Sequence, residues 1–182
     1  PELDEETFGV RAKIDPENFY DFTQARPTVH LVNGTHRALD WPQNEFWVSH
    51  EPLLPHDFVM FVGVEPHTHW RAYLNAFGEV IDRLGIGTVV TLGGLIADST
   101  HTRPVPIAGF SNAPQYAESL LELGIHSTNY EGPTGIVGVL SDFVRRTDRT
   151  TVSLWASVPP YISGTSYPKA SLALLRNIDA LF

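Results

Sequence analysis

The sequence predicts an α/β fold: a single three-layer α/β/α domain over residues 1–182, with a mostly parallel sheet and one inserted β-hairpin. Three observations predict it. Short, continuous apolar runs of strand length alternate with longer stretches of helical period. Polar segments rich in proline and glycine follow the apolar runs, where loops over a parallel sheet belong. Asn33–Gly34 stands between two short strand-like runs, the strongest short hairpin signal.

The elements follow in order. RPTVHLVNGTHRALDWP (26–42) is the hairpin, surplus to a parallel sheet and therefore an edge decoration or an oligomer contact. FVMFVGV (58–64) is a strand covered on both faces. A helix follows, with Trp70, Tyr73, Leu74, Phe77, Val80, Ile81 and Leu84 inward, Thr68 as its cap and Gly85 as its stop. GTVVTL (87–92) is the next buried strand, and these three pieces predict a right-handed βαβ unit. VPIAGF (105–110) is a strand. Asn112 then caps a helix with Pro114 in its first turn, with Ala117, Leu120 and Leu121 on one face and Gly124 at its end. A third helix spans about 134–146, with Ile136, Val137, Leu140, Phe143 and Val144 inward. TVSLWASV (151–158) is a strand, and the closing helix from Pro168 turns Leu172, Leu175, Ile178 and Phe182 inward.

Composition bounds the function. Apolar residues at 42% and charged residues at 18% describe a globular chain without the long apolar run of a membrane span. There is no cysteine, hence no disulfide, thiol nucleophile or cysteine-bound zinc, and the expected location is the cytoplasm. The net charge is −9, of which residues 1–22 carry −5, an acidic and solvated start. No basic stripe is present, so neither a nucleic acid nor a membrane is an expected partner.

Candidate chemistry collects after three strands. Glu65, held by Pro66 after the first, is placed for partial burial as a base or a grip on a ribose or amine; the alternative is a carboxylate at a helix start. In VVTLGGLIADSTHTRPVPI (89–107), Gly93 and Gly94 would let a ligand approach the backbone, and Arg103 offers a fork for carboxylate or phosphate, or else a salt bridge to Asp98 or Glu131. His101 stands in the same loop, and Glu65 is expected to face it across a crevice. His67, His69 and His101 have a spacing too loose to assign a metal. YEGPTG (130–135), with Glu131 and Thr134, enters the third helix as an anion cradle or as a close-packing segment. Trp155 can stack on a base or sugar, or fill the core. The ligand-binding set is therefore Glu65, Gly93, Gly94, His101, Arg103, Glu131, Thr134 and Trp155. No Walker loop, nucleophile elbow, H-E-x-x-H or dinucleotide fingerprint occurs, and no catalytic residue, metal or cofactor is assigned.

Six separated motifs, RPTVHLVNG…LDWP, GVEPHTHW, VVTLGGLIADSTHTRPVPI, YEGPTGIVGVL, SLWASVPPY and PKASLALLRNI, resemble the proteasome assembly chaperone type 2 family over about residues 15–182. The nearest likeness is to its actinobacterial branch, which has no established activity. The resemblance implies an α/β/α fold of the phosphorylase kind and homo-oligomers, expected as trimers, assembled with the help of the hairpin. It also implies a ligand pocket, or a protein client of the sort that proteasome chaperones hold. The family's opening strand with its glycine-rich turn and its later helical extension have no counterpart in this sequence, so the chain is expected to be part of a longer protein.

Overall fold

The computed structural model describes residues 8–50, 56–162 and 164–182. The acidic residues 2, 4, 5 and 6 lie outside the described residues. The chain divides into two compact units, residues 1–86 and 87–182.

In the first unit, β1 (Phe8–Lys13), β4 (Glu45–Ser49) and β5 (Phe58–Val62) form an antiparallel sheet in the order β1-β4-β5. Between β1 and β4 lies the hairpin of β2 (Thr28–Val32) and β3 (His36–Asp40), a separate two-stranded sheet. Asn33 and Gly34 take φ of 51° and 73°. Thr35 N–H donates to the Val32 carbonyl at 3.3 Å, as the primed turn requires. Thr35 then adds one residue before the ladder starts at Val32–His36.

Helix α1 (Trp70–Arg83) buries Tyr73, Leu74, Phe77 and Ile81. Phe77 meets Phe46 and Phe61, both centroid distances being 4.9 Å, and this ring cluster is the core of the unit. The helix cap is His69 at φ 53°, not Thr68, and no side chain bonds the first turn. Its end is as expected: at Gly85, φ 66°, the amides of Gly85 and Ile86 bond the carbonyls of Asp82 and Ile81.

The second unit has a mixed sheet in the order β6-β8-β7, from β6 (Thr88–Ile96), β7 (Ile107–Ser111) and β8 (Thr150–Val158). β8 lies between a parallel β6 and an antiparallel β7. Its even residues Val152 and Leu154 pack with Leu120 and Ile125, against Leu174, Ile178 and Leu181. Leu120 comes from α2 (Pro114–Glu122), Ile125 from the turn that follows it, and the last three from α4 (Pro168–Leu181). The odd residue Ser153 meets Thr91 at 2.9 Å, and Thr91 lies 3.4 Å from Ser141 of α3 (Ile136–Arg145). Helices thus cover both faces of this sheet.

Several expectations are corrected. The fold is mixed α/β with several sheets, and among the described strand pairs only β6–β8 is parallel. β5 and β6 belong to different sheets, so they do not form the expected βαβ unit. An apolar run marks a strand but does not select its partner, and β5 pairs with β4, whose run EFWVS is too short and mixed to stand out. β5 is not covered on both faces: Phe58, Met60 and Val62 are about half exposed, as on an edge strand. β6 runs on through Gly93–Gly94 to Ile96.

Asn112 does not cap α2. Its Oδ1 accepts from Thr151 N–H at 2.7 Å, its Nδ2 donates to the Arg149 carbonyl, and Ala113 takes the cap position. Leu121 of α2, and Leu172, Leu175 and Phe182 at the closing helix, are exposed, while Leu120 and Ile178 pack inward as expected and Leu174 and Leu181 join them.

Gly109 is required by packing. A Cβ there would lie 2.7 Å from the Ser153 carbonyl oxygen and 2.8 Å from Leu154. The nearer atom is backbone and cannot swing aside. Gly109→Ala is expected to destabilise the protein by about 2 kcal/mol, seen as a Tm lowered by about 4–8 °C in thermal circular dichroism.

Candidate functional site

Glu65 follows β5 in the first unit, and the other seven candidates lie in the second. Glu65 is exposed, where partial burial was expected. The structure buries the groups beneath that strand end instead. Asn44 is 1% exposed and its Oδ1 accepts hydrogen bonds from the hydroxyls of Tyr20 and Tyr73. Asn44 Nδ2 donates to the Ile14 carbonyl at 3.3 Å. The Tyr20 hydroxyl also meets Val64, accepting its N–H at 3.0 Å and lying 2.6 Å from its carbonyl oxygen. One asparagine therefore ties the residue after β1 to α1 and, through Tyr20, to the residue before Glu65. Gly63 makes room for it, since a Cβ there would sit 2.6 Å from Asn44 Oδ1.

Burial pushes both phenols up from their ordinary pKa, and repulsion from Tyr20 adds to the effect at Tyr73. A phenol whose pKa is higher folded than unfolded contributes stability that is present below the unfolded value near 10 and lost as pH rises above it. The urea midpoint is expected to fall above about pH 10, and to fall less steeply in Tyr20→Phe and Tyr73→Phe proteins measured beside the parent.

The histidines of the first unit are used locally. His67 Nδ1 accepts from Asp21 N–H at 3.1 Å, and His69 Nδ1 lies 2.9 Å from the Asn18 carbonyl, pinning residues 18–21 to the start of α1. The Asp21 carboxyl is held down at about 2 by hydrogen bonds from Thr23 and Gln24. Among the described residues no group of three histidine or acidic side chains could hold a metal.

In the second unit, Gly93 stands opposite Trp155 in the parallel register and Gly94 opposite Ala156. The Trp155 ring occupies the space that a Gly93 side chain would need, 2.5 Å from a Cβ built there. Its indole N–H donates to Ser153 Oγ at 3.0 Å. At the entry to α3, Glu131 and Thr134 are exposed, and Thr134 Oγ1 leans into the space left by Gly138.

The 101–103 loop is held by two residues that sequence reasoning did not select for it. The Tyr161 hydroxyl lies 3.0 Å from both His101 N and His101 Nδ1. Lys169 Nζ donates to the carbonyls of His101 and Arg103, each at 2.7 Å. Among the described residues Arg103 forms no ion pair with Asp98 or Glu131. The motif SLWASVPPY signals an aromatic past the strand, but a lysine in the first turn of α4 carries no such mark.

A cavity of about 410 Å³ lies in the first unit, lined by Lys13, Pro16, Trp41 and Pro42 among others. It holds none of the candidate residues. It adjoins the hairpin, whose outer face is apolar. Val29 is 53% exposed, Leu31 64% and Leu39 58%. Val29 stands directly opposite Leu39, so all three share one face.

The profile of the PAC2 family matches residues 4–182. A crystal structure of a PAC2 family protein from Streptomyces avermitilis is similar at 41% identity and a TM-score of 0.85, over 98% of this chain and 75% of that one. A proteasome-assembly chaperone homologue from Mycobacterium tuberculosis is similar at 38% identity and a TM-score of 0.83, over 96% and 74% of the two chains. An archaeal proteasome activator from Pyrococcus furiosus shares the fold at 17% identity and a TM-score of 0.60, over 85% and 66%. No curated protein matches.

Proposed function

Because this chain belongs to the PAC2 family, we propose that it is an assembly factor or scaffold that forms homo-oligomers, as trimers, through its hairpin. The observation that carries the reading is the exposed apolar face of Val29, Leu31 and Leu39 on a hairpin outside the main sheets. Apolar side chains in a contiguous exposed patch mark a surface that another protein covers. The Mycobacterium tuberculosis relative, described as a proteasome-assembly chaperone homologue, supports a protein client of that kind. The proposal keeps a single three-layer α/β/α domain and a cytoplasmic location. Its test is light scattering on the purified protein, followed by co-expression with proteasome α-type subunits and native mass spectrometry. A monomer at micromolar concentration that leaves subunit assembly unchanged would remove the proposal.

A second reading takes the protein as an enzyme or binding protein for a nucleoside or small anionic ligand. In the second unit its residues are Gly93, Gly94, His101, Arg103, Glu131, Thr134 and Trp155, with Glu65 a separate candidate in the first. What favours it is the 101–103 loop, which Tyr161 and Lys169 hold in place while the Arg103 side chain stays exposed.

A further inference from the structure

The geometry points to a phosphate-binding corner built by His101, Arg103 and Lys169, with Tyr161 as the residue that positions His101. This rests on the ligand reading above and adds to it the ligand group and two residues. The donor inventory carries it. A lysine ammonium has three N–H donors, and Lys169 commits two of them to the carbonyls of His101 and Arg103, each 2.7 Å away. The third remains beside the same two residues. Tyr161 Oη accepts the backbone N–H of His101 and lies 3.0 Å from Nδ1 of the same imidazole, so that ring nitrogen is engaged by the phenol. Nε2 is the ring nitrogen left for a ligand, and a phosphate oxygen there selects the tautomer that carries its proton on Nε2, with the phenol donating to Nδ1.

Arg103 supplies the guanidinium fork on the residue whose carbonyl Lys169 binds, so both cations are anchored at the same short loop. The three side chains offer donors and no acceptor, and two of them carry fixed positive charge. Asp98, in the same loop, is the nearby acid and pairs with neither cation among the described residues. Donors from three side chains exceed what the two oxygens of one carboxylate can take, and suit the several oxygens of a phosphate group. The corner therefore takes the phosphate of a small molecule.

The test is a titration of the full chain with inorganic phosphate and with pyrophosphate at constant ionic strength, followed by calorimetry and thermal shift, with acetate and chloride as controls. Saturable binding is expected for the phosphates, weakened about tenfold or more in Arg103→Gln, a change that breaks no ion pair among the described residues. Lys169→Gln and Tyr161→Phe are expected to weaken it too. Equal binding of acetate would overturn the choice of phosphate. Phosphate binding untouched by Arg103→Gln, or a nucleoside that binds where phosphate does not, would remove the corner and leave the ligand reading standing. Silence toward phosphates, nucleosides and nucleotides alike would remove both.

Discussion

Replacing both Leu31 and Leu39 with glutamate is expected to turn the proposed oligomer into a monomer while leaving the fold intact. Both side chains are more than half exposed in the chain itself, so removing them opens no cavity in the core. In an assembly that covers this face, each leucine contributes about 1.5–3 kcal/mol of apolar burial. A carboxylate in its place must in addition be stripped of water without a partner, which costs further. Two such changes weaken association by about 10²-fold to 10⁴-fold or more. Light scattering reads the mass, and circular dichroism reads the fold. An oligomer that survives the double substitution would show that another surface assembles the protein. Unfolding of the variant would show instead that the hairpin is packed within the chain.

The largest effect on stability is expected at Asn44. Its side chain accepts two phenolic hydrogen bonds and donates to the Ile14 carbonyl at a site only 1% exposed. Asn44→Leu keeps the volume and removes all three. Tyr73 is left with a buried donor and Ile14 with a buried acceptor, while Tyr20 can still turn to Val64. Unsatisfied buried groups cost about 1–3 kcal/mol each, so the sum is about 3–4 kcal/mol. That is a large part of a typical 5–15 kcal/mol total and lowers Tm by about 10 °C. Tyr73→Phe removes one donor and leaves Asn44 its other bonds, so about 1 kcal/mol is expected. Equal losses in the two variants would mean that Asn44 does not organise the network.

How much was legible depended on whether the signal was local. Asn33–Gly34 dictates a turn because both residues must take positive φ, and the hairpin is where the dipeptide puts it. Gly85 and Gly124 end their helices at φ 66° and 73° for the same local reason. The periodicity of α1 found all four of its buried residues. The sequence patterns also found the 101–103 loop, because a polar stretch braced by Pro104 and Pro106 stands out against a core strand.

Pairing and partnership were not legible, because they depend on residues far apart in the chain. By itself the sequence determined the four α-helices, the hairpin and four of the six other strands among the described residues. It also determined the turn positions, the family and the loop that carries the candidate chemistry, each set by backbone geometry or by contiguous residues, while β1 and β4 lacked a run long enough to read. Only the tertiary structure decided that β5 joins β4 and β6 joins β8, since an apolar run is equally able to pair with any strand of matching length. It also decided that Glu65 is exposed above an Asn44–tyrosine network and that Gly93 makes room for Trp155. Lys169 reaches the loop 66 and 68 residues before it. Hydrogen bonds at that separation obey only the folded geometry, and no spacing in the chain encodes them.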